Sequence, residues 1–272
     1  MELGRKQAAF AKQGLNVASI TYDSVDVLKN FADRKGVAFP MLSDPDSKII
    51  RDFGILNDTV PRGTPFYGVP YPGTYVVDAS GVVRKKFFEN DYRERYTAGT
   101  ILLETSPEAA REGWQQARTS HLTVRWKASD DTLHGGDHTT LLIEVALNKK
   151  MHVYAPGVQG SYIPVRWDLK ADDLFQPAET KWPRPRVLDL KAIGEKAPVF
   201  EGAFQVRRDV GFSQQKQLQE AAEGKPLEVQ GSFRYQACDD KVCYPPVTVP
   251  LKWTFRFEPH DPTRVPPELR RK

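Results

Sequence analysis

The hydrophobic pattern of this chain changes its period once, near residue 106, and that change limits the folds open to it. Before it, strand runs and helical spacing take turns. Leu15 to Tyr22 reads as an apolar strand, and the next segment as a helix opened by Ser24, with Val25, Leu28 and Phe31 at helical spacing and Gly36 closing it. Phe39 to Leu42 reads as a short strand. SDPDSKIIRDFG reads as a helix with Ile49, Ile50 and Phe53 turned inward and Gly54 past its end. TYVVDASGVVRKKFF reads as a hairpin that turns at Asp78 to Gly81, and MELGRKQAAFAKQG as an amphipathic helix ahead of all of these. This order predicts an α/β sheet with helices on its faces, over residues 1–105.

Beyond that point nearly every pattern has a strand's period of two. SPEAAREGWQQARTS reads as a capped polar helix, which makes residues 106–120 a linker. HLTVRWKAS places Leu122, Val124 and Trp126 on one face, and HTTLLIEVAL alternates at Leu141, Ile143, Val145 and Leu147. YIPVRWDLK, PLEVQGSFRYQAC and VTVPLKWTFRFE follow, so residues 121–258 are expected to form an antiparallel sandwich, with Trp126, Trp167 and Trp253 in its core. The Pro- and charge-rich residues 259–272 are expected to be a disordered tail. A length of 272 residues agrees with two domains.

Charge narrows the function classes. The 39 basic and 35 acidic residues are interspersed, which argues against a nucleic-acid stripe. No run approaches the roughly 18 apolar residues of a membrane span, and the first residues do not resemble a signal peptide. No cofactor or metal is expected.

Cys238 and Cys243 are the only cysteines, four residues apart in YQACDDKVCYPP. A four-residue hairpin loop would set them opposite each other, within disulfide reach. A loop this short gains little chain-entropy stabilisation, which favours chemistry over stapling. Leu227, Val229, Phe233 and Tyr235 share one parity, which puts Cys238 on the opposite, more exposed face. Cys243 shares its parity with Val247, Val249, Leu251 and Trp253, so a bulge or break is expected at Cys243 to Pro246. A redox pair, a structural bridge and inert thiols all stay open on spacing. Half a zinc site is the weakest reading, because His134 and His138 lie far off in a Gly-rich loop.

The runs VFEGAFQVRRDV and PLEVQGSFRYQACDDKVCYPPVTVPL resemble the N-terminal periplasmic domain of the thiol:disulfide interchange protein DsbD, with its Tyr-Gln-x-Cys, loop, Cys-Tyr-Pro-Pro signature. The resemblance implies an immunoglobulin-like sandwich, working outside the cytoplasm, that exchanges electrons with a thioredoxin-like partner or a membrane electron donor. It makes Cys238 and Cys243 the redox pair, with Cys243 attacking a partner disulfide. It also makes Phe200 the aromatic of a cap loop over the pair, and Tyr154 and Tyr244 part of the site lining. His152 stands where another aromatic is expected, Pro198-Val199 replaces an acidic pair, and DDKV is one residue shorter than the family loop. By charge, Asp239 and Asp240 raise nearby thiol pKa values and Lys241 opposes them.

ITYDSVDVLKNFADRKGVAFPMLSDPDSKIIRDFGI and PYPGTYVVDASGVVRKKFF resemble a redoxin of the AhpC/TSA type, on a thioredoxin-like fold. That resemblance gives Pro72 the place of the proline that faces the active site. The family's catalytic cysteine precedes this stretch and no cysteine occurs before Cys238, so residues 1–105 are expected to be a truncated redoxin without peroxidase competence. The function expected is thiol-disulfide exchange at Cys238 and Cys243. The alternatives are a non-enzymatic scaffold with a structural disulfide, or part of a thiol peroxidase whose cysteine lies upstream.

Overall fold

The computed structural model describes residues 2–89, 91, 93–106, 113–190 and 195–270. The chain divides into two units, Met1–Ala109 with His260–Lys272, and Ala110–Pro259.

The first unit contains α1 (Glu2–Lys12), β1 (Ser19–Thr21), α2 (Val25–Lys35), β2 (Met41–Ser43), α3 (Lys48–Asp52), β3 (Gly73–Val77), β4 (Val83–Phe88), β5 (Arg95–Tyr96) and α4 (Ala98–Thr105). The Ser24 side chain accepts from the Val27 N–H and opens α2, and Gly36, with φ 63°, ends it in the left-handed region. β1 and β2 pair in parallel across that helix, and β3 and β4 form the expected hairpin. Phe10, Phe87, Ala98, Ile101 and Leu102 make a small core between α1, α4 and β4.

Three expectations for this unit change. The first strand is confined to Ser19–Thr21. Of the three α3 residues expected inward, only Ile50 is buried, while Ile49 and Phe53 are 44% and 51% exposed. Ile49 is turned about 100° from Ile50, and Phe53 follows the last residue of α3, so neither is held on the buried face with Ile50. The C-terminal segment is ordered: Asp261 bonds Arg34 and Lys35 at 2.8 and 2.5 Å, and Pro267–Leu269 forms a 3₁₀ turn. These bonds hold the Asp261 carboxyl well below the usual range, Lys35 contributing most.

The second unit contains β6 (Gln115–Arg118), β7 (Leu122–Ala128), β8 (Thr132–Leu133), β9 (Asp137–Leu147), β10 (His152–Tyr154), β11 (Arg166–Leu169), β12 (Phe175–Pro177), β13 (Arg186–Leu190), β14 (Glu195–Glu201), β15 (Ala203–Phe212), α5 (Gln215–Ala222), β16 (Leu227–Tyr235), β17 (Ala237–Cys238) and β18 (Val247–Phe257). One sheet runs β12-β15-β9-β7-β6 and a second β11-β16-β18-β8, with only β18 and β8 parallel. Leu122 and Val124, Ile143 and Val145, Trp167, Phe233 and Trp253 meet in one continuous core, as their alternation predicted. A third, small sheet runs β13-β14-β10-β17.

The linker helix is corrected where it is described. Gln115–Arg118 is a strand paired with Thr123 to Trp126, and residues 107–112 lie outside the described set. Polar QQAR reads as helical surface, but β6 ends its sheet, and edge strands carry polar side chains toward solvent. Among the described residues no helix is long and apolar enough to cross a membrane.

Candidate functional site

The site begins where β16 stops. Gln236 interrupts the ladder after Tyr235, and the next two residues leave β18 to pair with β10, His152 opposite Cys238 and Val153 opposite Ala237. The chain then turns through Asp239 to Val242 and returns, so that Cys238 and Cys243 face each other as an isolated antiparallel bridge, joined by a disulfide with Cα atoms 4.0 Å apart. The expected hairpin and pairing are both present.

Asp239 organises the turn. Its Oδ1 accepts from the Lys241 and Val242 N–H groups at 2.7 and 2.9 Å, and its Oδ2 from the Tyr244 hydroxyl at 2.9 Å. The backbone donors, Val242 foremost, hold this carboxyl below its ordinary range, and the same hydroxyl bond pushes the Tyr244 phenol up. The Tyr244 N–H donates to the Ala237 carbonyl, and Gln236 Nε2 donates to the Tyr244 carbonyl at 3.0 Å. Lys241 thus enters the loop's bonding through its backbone, while Asp240 and the Lys241 side chain are exposed.

The two sulfurs sit in opposite environments. Cys238 is 1% exposed and Cys243 is exposed. The expectation that Cys238 lies on the more exposed face is therefore corrected. The parity argument continued β16 through residue 238, but after Gln236 the chain belongs to another sheet, whose buried face receives Cys238. The irregular stretch expected at Cys243 to Pro246 is present, since ladder pairing resumes only at Val247.

On that buried face Cys238 packs with Tyr154, Ala197 and Val199, and Val158, Tyr162 and Leu188 lie against them. Tyr154, expected in the site lining, packs against Cys238 with its ring 4.4 Å from that of Tyr162. His152 is 5% exposed and meets Tyr154 edge-on. Burial pushes its pKa down, while Glu201, Asp240 and Asp239 pull it up. The Tyr244 ring packs against His121, 4.4 Å between centroids.

Phe200 is not where a cap requires it. It lies within β14 opposite Val153, so it shares the face of Val153 and Ala237 and points into the sandwich core, between Phe204 at 4.6 Å and Trp182 at 6.0 Å. Side chains alternate along a strand, so the neighbour Val199 is the one that reaches Cys238. Local patterning did not single out Tyr162, Leu188 or Glu201, because β14 reaches the site only by pairing with β10 and β13 only by pairing with β14, while Tyr162 lies in no helix or strand. Gln236 was legible, within Tyr-Gln-x-Cys. Pro72 directly precedes β3, half-buried, in a unit whose residues include no cysteine.

Comparison with known proteins matches each unit separately. Residues 1–86 match the AhpC/TSA family, and residues 119–252 match the family described as thiol:disulfide interchange protein DsbD, N-terminal. A protein of Mycobacterium tuberculosis H37Rv named as a peroxiredoxin is 36% identical over 74 residues, 27% of this chain and 46% of its own. The chloroplastic peroxiredoxin Q of Sedum lineare is 31% identical over 94 residues, 35% of this chain and 47% of its own. The chain thus spans about half the length of these curated relatives. Among solved structures, the N-terminal periplasmic domain of ScsB from Proteus mirabilis is 18% identical with a TM-score of 0.38, covering 52% of this chain and 49% of that one. A thioredoxin-like unit is followed by a β-rich one, with which an immunoglobulin-like sandwich is consistent. Together with the disulfide pair, the two family matches point to thiol-disulfide redox chemistry.

Proposed function

We propose that Cys238 and Cys243 exchange electrons with a partner protein bearing a dithiol or disulfide, through Cys243. The observation that carries this reading is the unequal exposure of the two sulfurs. Cys243 is open to solvent, and so to an approaching thiolate, while Cys238 is enclosed by Tyr154, Val199 and Ala197. Exchange requires a thiolate to approach one sulfur along the S–S axis while the other leaves, so an accessible sulfur bonded to a sheltered one fixes which is attacked. In the reducing direction the same exposure makes the Cys243 thiolate the nucleophile toward a partner disulfide, and Cys238 the resolving thiol.

The family match supports a thioredoxin-like or membrane-held partner and a place outside the cytoplasm, where a disulfide can persist between turnovers. The first unit supplies no thiol to this exchange; peroxide reduction there would need a cysteine that residues 1–237 do not contain.

Equilibrating the protein in graded glutathione or dithiothreitol buffers and counting free thiols by mass tests the reading. A reduction potential above about −300 mV is expected, and one well below it would return the pair to a structural role. Cys238→Ser should leave Cys243 able to trap a partner as a mixed disulfide, and Cys243→Ser should trap far less. Equal trapping would overturn the assignment of roles.

A further inference from the structure

The exchange just described leaves a charge unaccounted for. When the disulfide is attacked at Cys243, the electron pair departs on Cys238 Sγ, at a position 1% exposed. A thiolate there has almost no water to solvate it, so it must be protonated or paired with a cation.

We propose that His152 supplies that pairing, taking up one proton as the disulfide opens and holding Cys238 as a thiolate beside the imidazolium. The inference rests on the exchange reading above. Three independent observations carry it. The β10–β17 register sets His152 directly opposite Cys238, and antiparallel partners present their side chains on the same face with Cβ atoms about 4.5–5.5 Å apart. Both side chains are enclosed, His152 at 5% exposure. His152 Nε2 is buried without a hydrogen-bond partner among the described residues, an unusual state for a ring nitrogen unless a partner appears during function.

The surrounding charges suit a ring that is neutral in one redox state and protonated in the other. Glu201 lies opposite His152 on β14 and is itself bonded to Arg186 of β13 at 2.8 Å, so part of its charge is already compensated. Asp239 and Asp240 of the cysteine loop act on the ring through their charge, and Tyr154, on the ring's own strand, adds an uncharged aromatic edge. Burial keeps the imidazole neutral while the disulfide is closed. A thiolate formed opposite it adds the attraction that burial had opposed.

A partner thiolate bonds to Cys243 Sγ, the Cys243–Cys238 bond breaks, its electron pair stays on Cys238, and one solvent proton ends on His152. The partner's second thiolate then attacks the partner sulfur of the mixed disulfide. Cys243 leaves as a thiolate and takes a proton from solvent; the partner departs oxidised, and the pair is reduced by two electrons.

Two measurements test the role. In Cys243→Ser protein, ultraviolet thiolate absorbance followed against pH reports the pKa of Cys238. Adding His152→Phe, which keeps a ring and removes the ionisation, should raise that pKa by about one unit or more, and His152→Gln by less. In the unsubstituted protein, NMR titration of the His152 ring should give a higher pKa in the reduced than in the oxidised state, a result that a purely packing role would not produce and that needs no variant to fold. An unchanged Cys238 pKa together with identical His152 titration in both states overturns the inference while leaving exchange intact. Failure of the unsubstituted pair to exchange at all overturns the exchange reading and this inference with it.

Discussion

Two tight hairpins in this molecule are held by an aspartate at the first loop position, and only one also carries a disulfide. In the β3–β4 turn, Asp78 accepts from the N–H groups of Ser80 and Val82, from the Ser80 hydroxyl and from Arg84 Nε, and its own N–H closes on the Val82 carbonyl. In the cysteine loop, Asp239 accepts from the N–H groups of Lys241 and Val242 and from the Tyr244 hydroxyl, and its N–H closes on the Val242 carbonyl. The first turn also uses Gly81 at φ 84°, while the second has no residue in the left-handed region. A carboxylate and backbone bonds thus suffice to close a loop of this size. Opening the disulfide beside Asp239 is therefore expected to leave the loop's shape intact, as the proposed exchange requires.

The largest effect is expected from deleting the covalent bond. Replacing both cysteines by alanine should lower the second unit's stability to urea by no more than about 2 kcal/mol, the chain-entropy value for so short a loop, and the Tyr244 amide should stay protected from hydrogen exchange. Loss of that protection would show that the disulfide, and not Asp239, holds the loop. Asp78→Ala should cost the Ser80 and Val82 amides about tenfold in protection, because nothing covalent backs them up. Asp239→Ala should do comparable damage to the Lys241 and Val242 amides in the reduced protein and much less in the oxidised one; equal damage in both would break the parallel.

Acid should act on both loops in one direction. Asp78 is held down to about 2 from 3.8, with the Ser80 hydroxyl bond the largest cause, and Asp239 is lowered too. A carboxylate with a depressed folded pKa contributes stability that is fully present above its unfolded value. That contribution is lost as pH falls through the folded one. Protection of the Ser80 and Val82 amides should therefore fade from just below pH 4 toward pH 2, with the Lys241 and Val242 amides following the same sign. The smallest effect expected is that of Tyr244→Phe, which removes one donor to Asp239 and should speed opening by dithiothreitol only about twofold.

How much of this was legible follows from how far each residue's partner lies along the chain. The sandwich strands were readable because Leu122, Val124, Trp126 and the alternating residues of β9 carry their burial in their own spacing. The Cys238–Cys243 pairing was readable because both ends of the hairpin lie in one twelve-residue stretch. The edge strand β6 was not, since QQAR owes its conformation to hydrogen bonds with β7 and not to any pattern of its own. The cap role of Phe200 was implied only by the family resemblance, and its register with Val153 places it in the core.

Local pattern was enough to separate two units of different class and to set two cysteines within bridging distance across a four-residue loop, whereas the hold of Asp239 on that loop emerged only with its hydrogen bonds. The first two follow from local periodicity and spacing. Only the tertiary structure shows which sulfur is buried, which side chains cover it and that an imidazole whose Nε2 has no hydrogen-bond partner among the described residues lies opposite it. Those facts depend on β17 leaving one sheet for another and pairing with a strand more than eighty residues earlier. A contact over that separation leaves no trace in local patterning, because what stabilises it is the burial of both partners together.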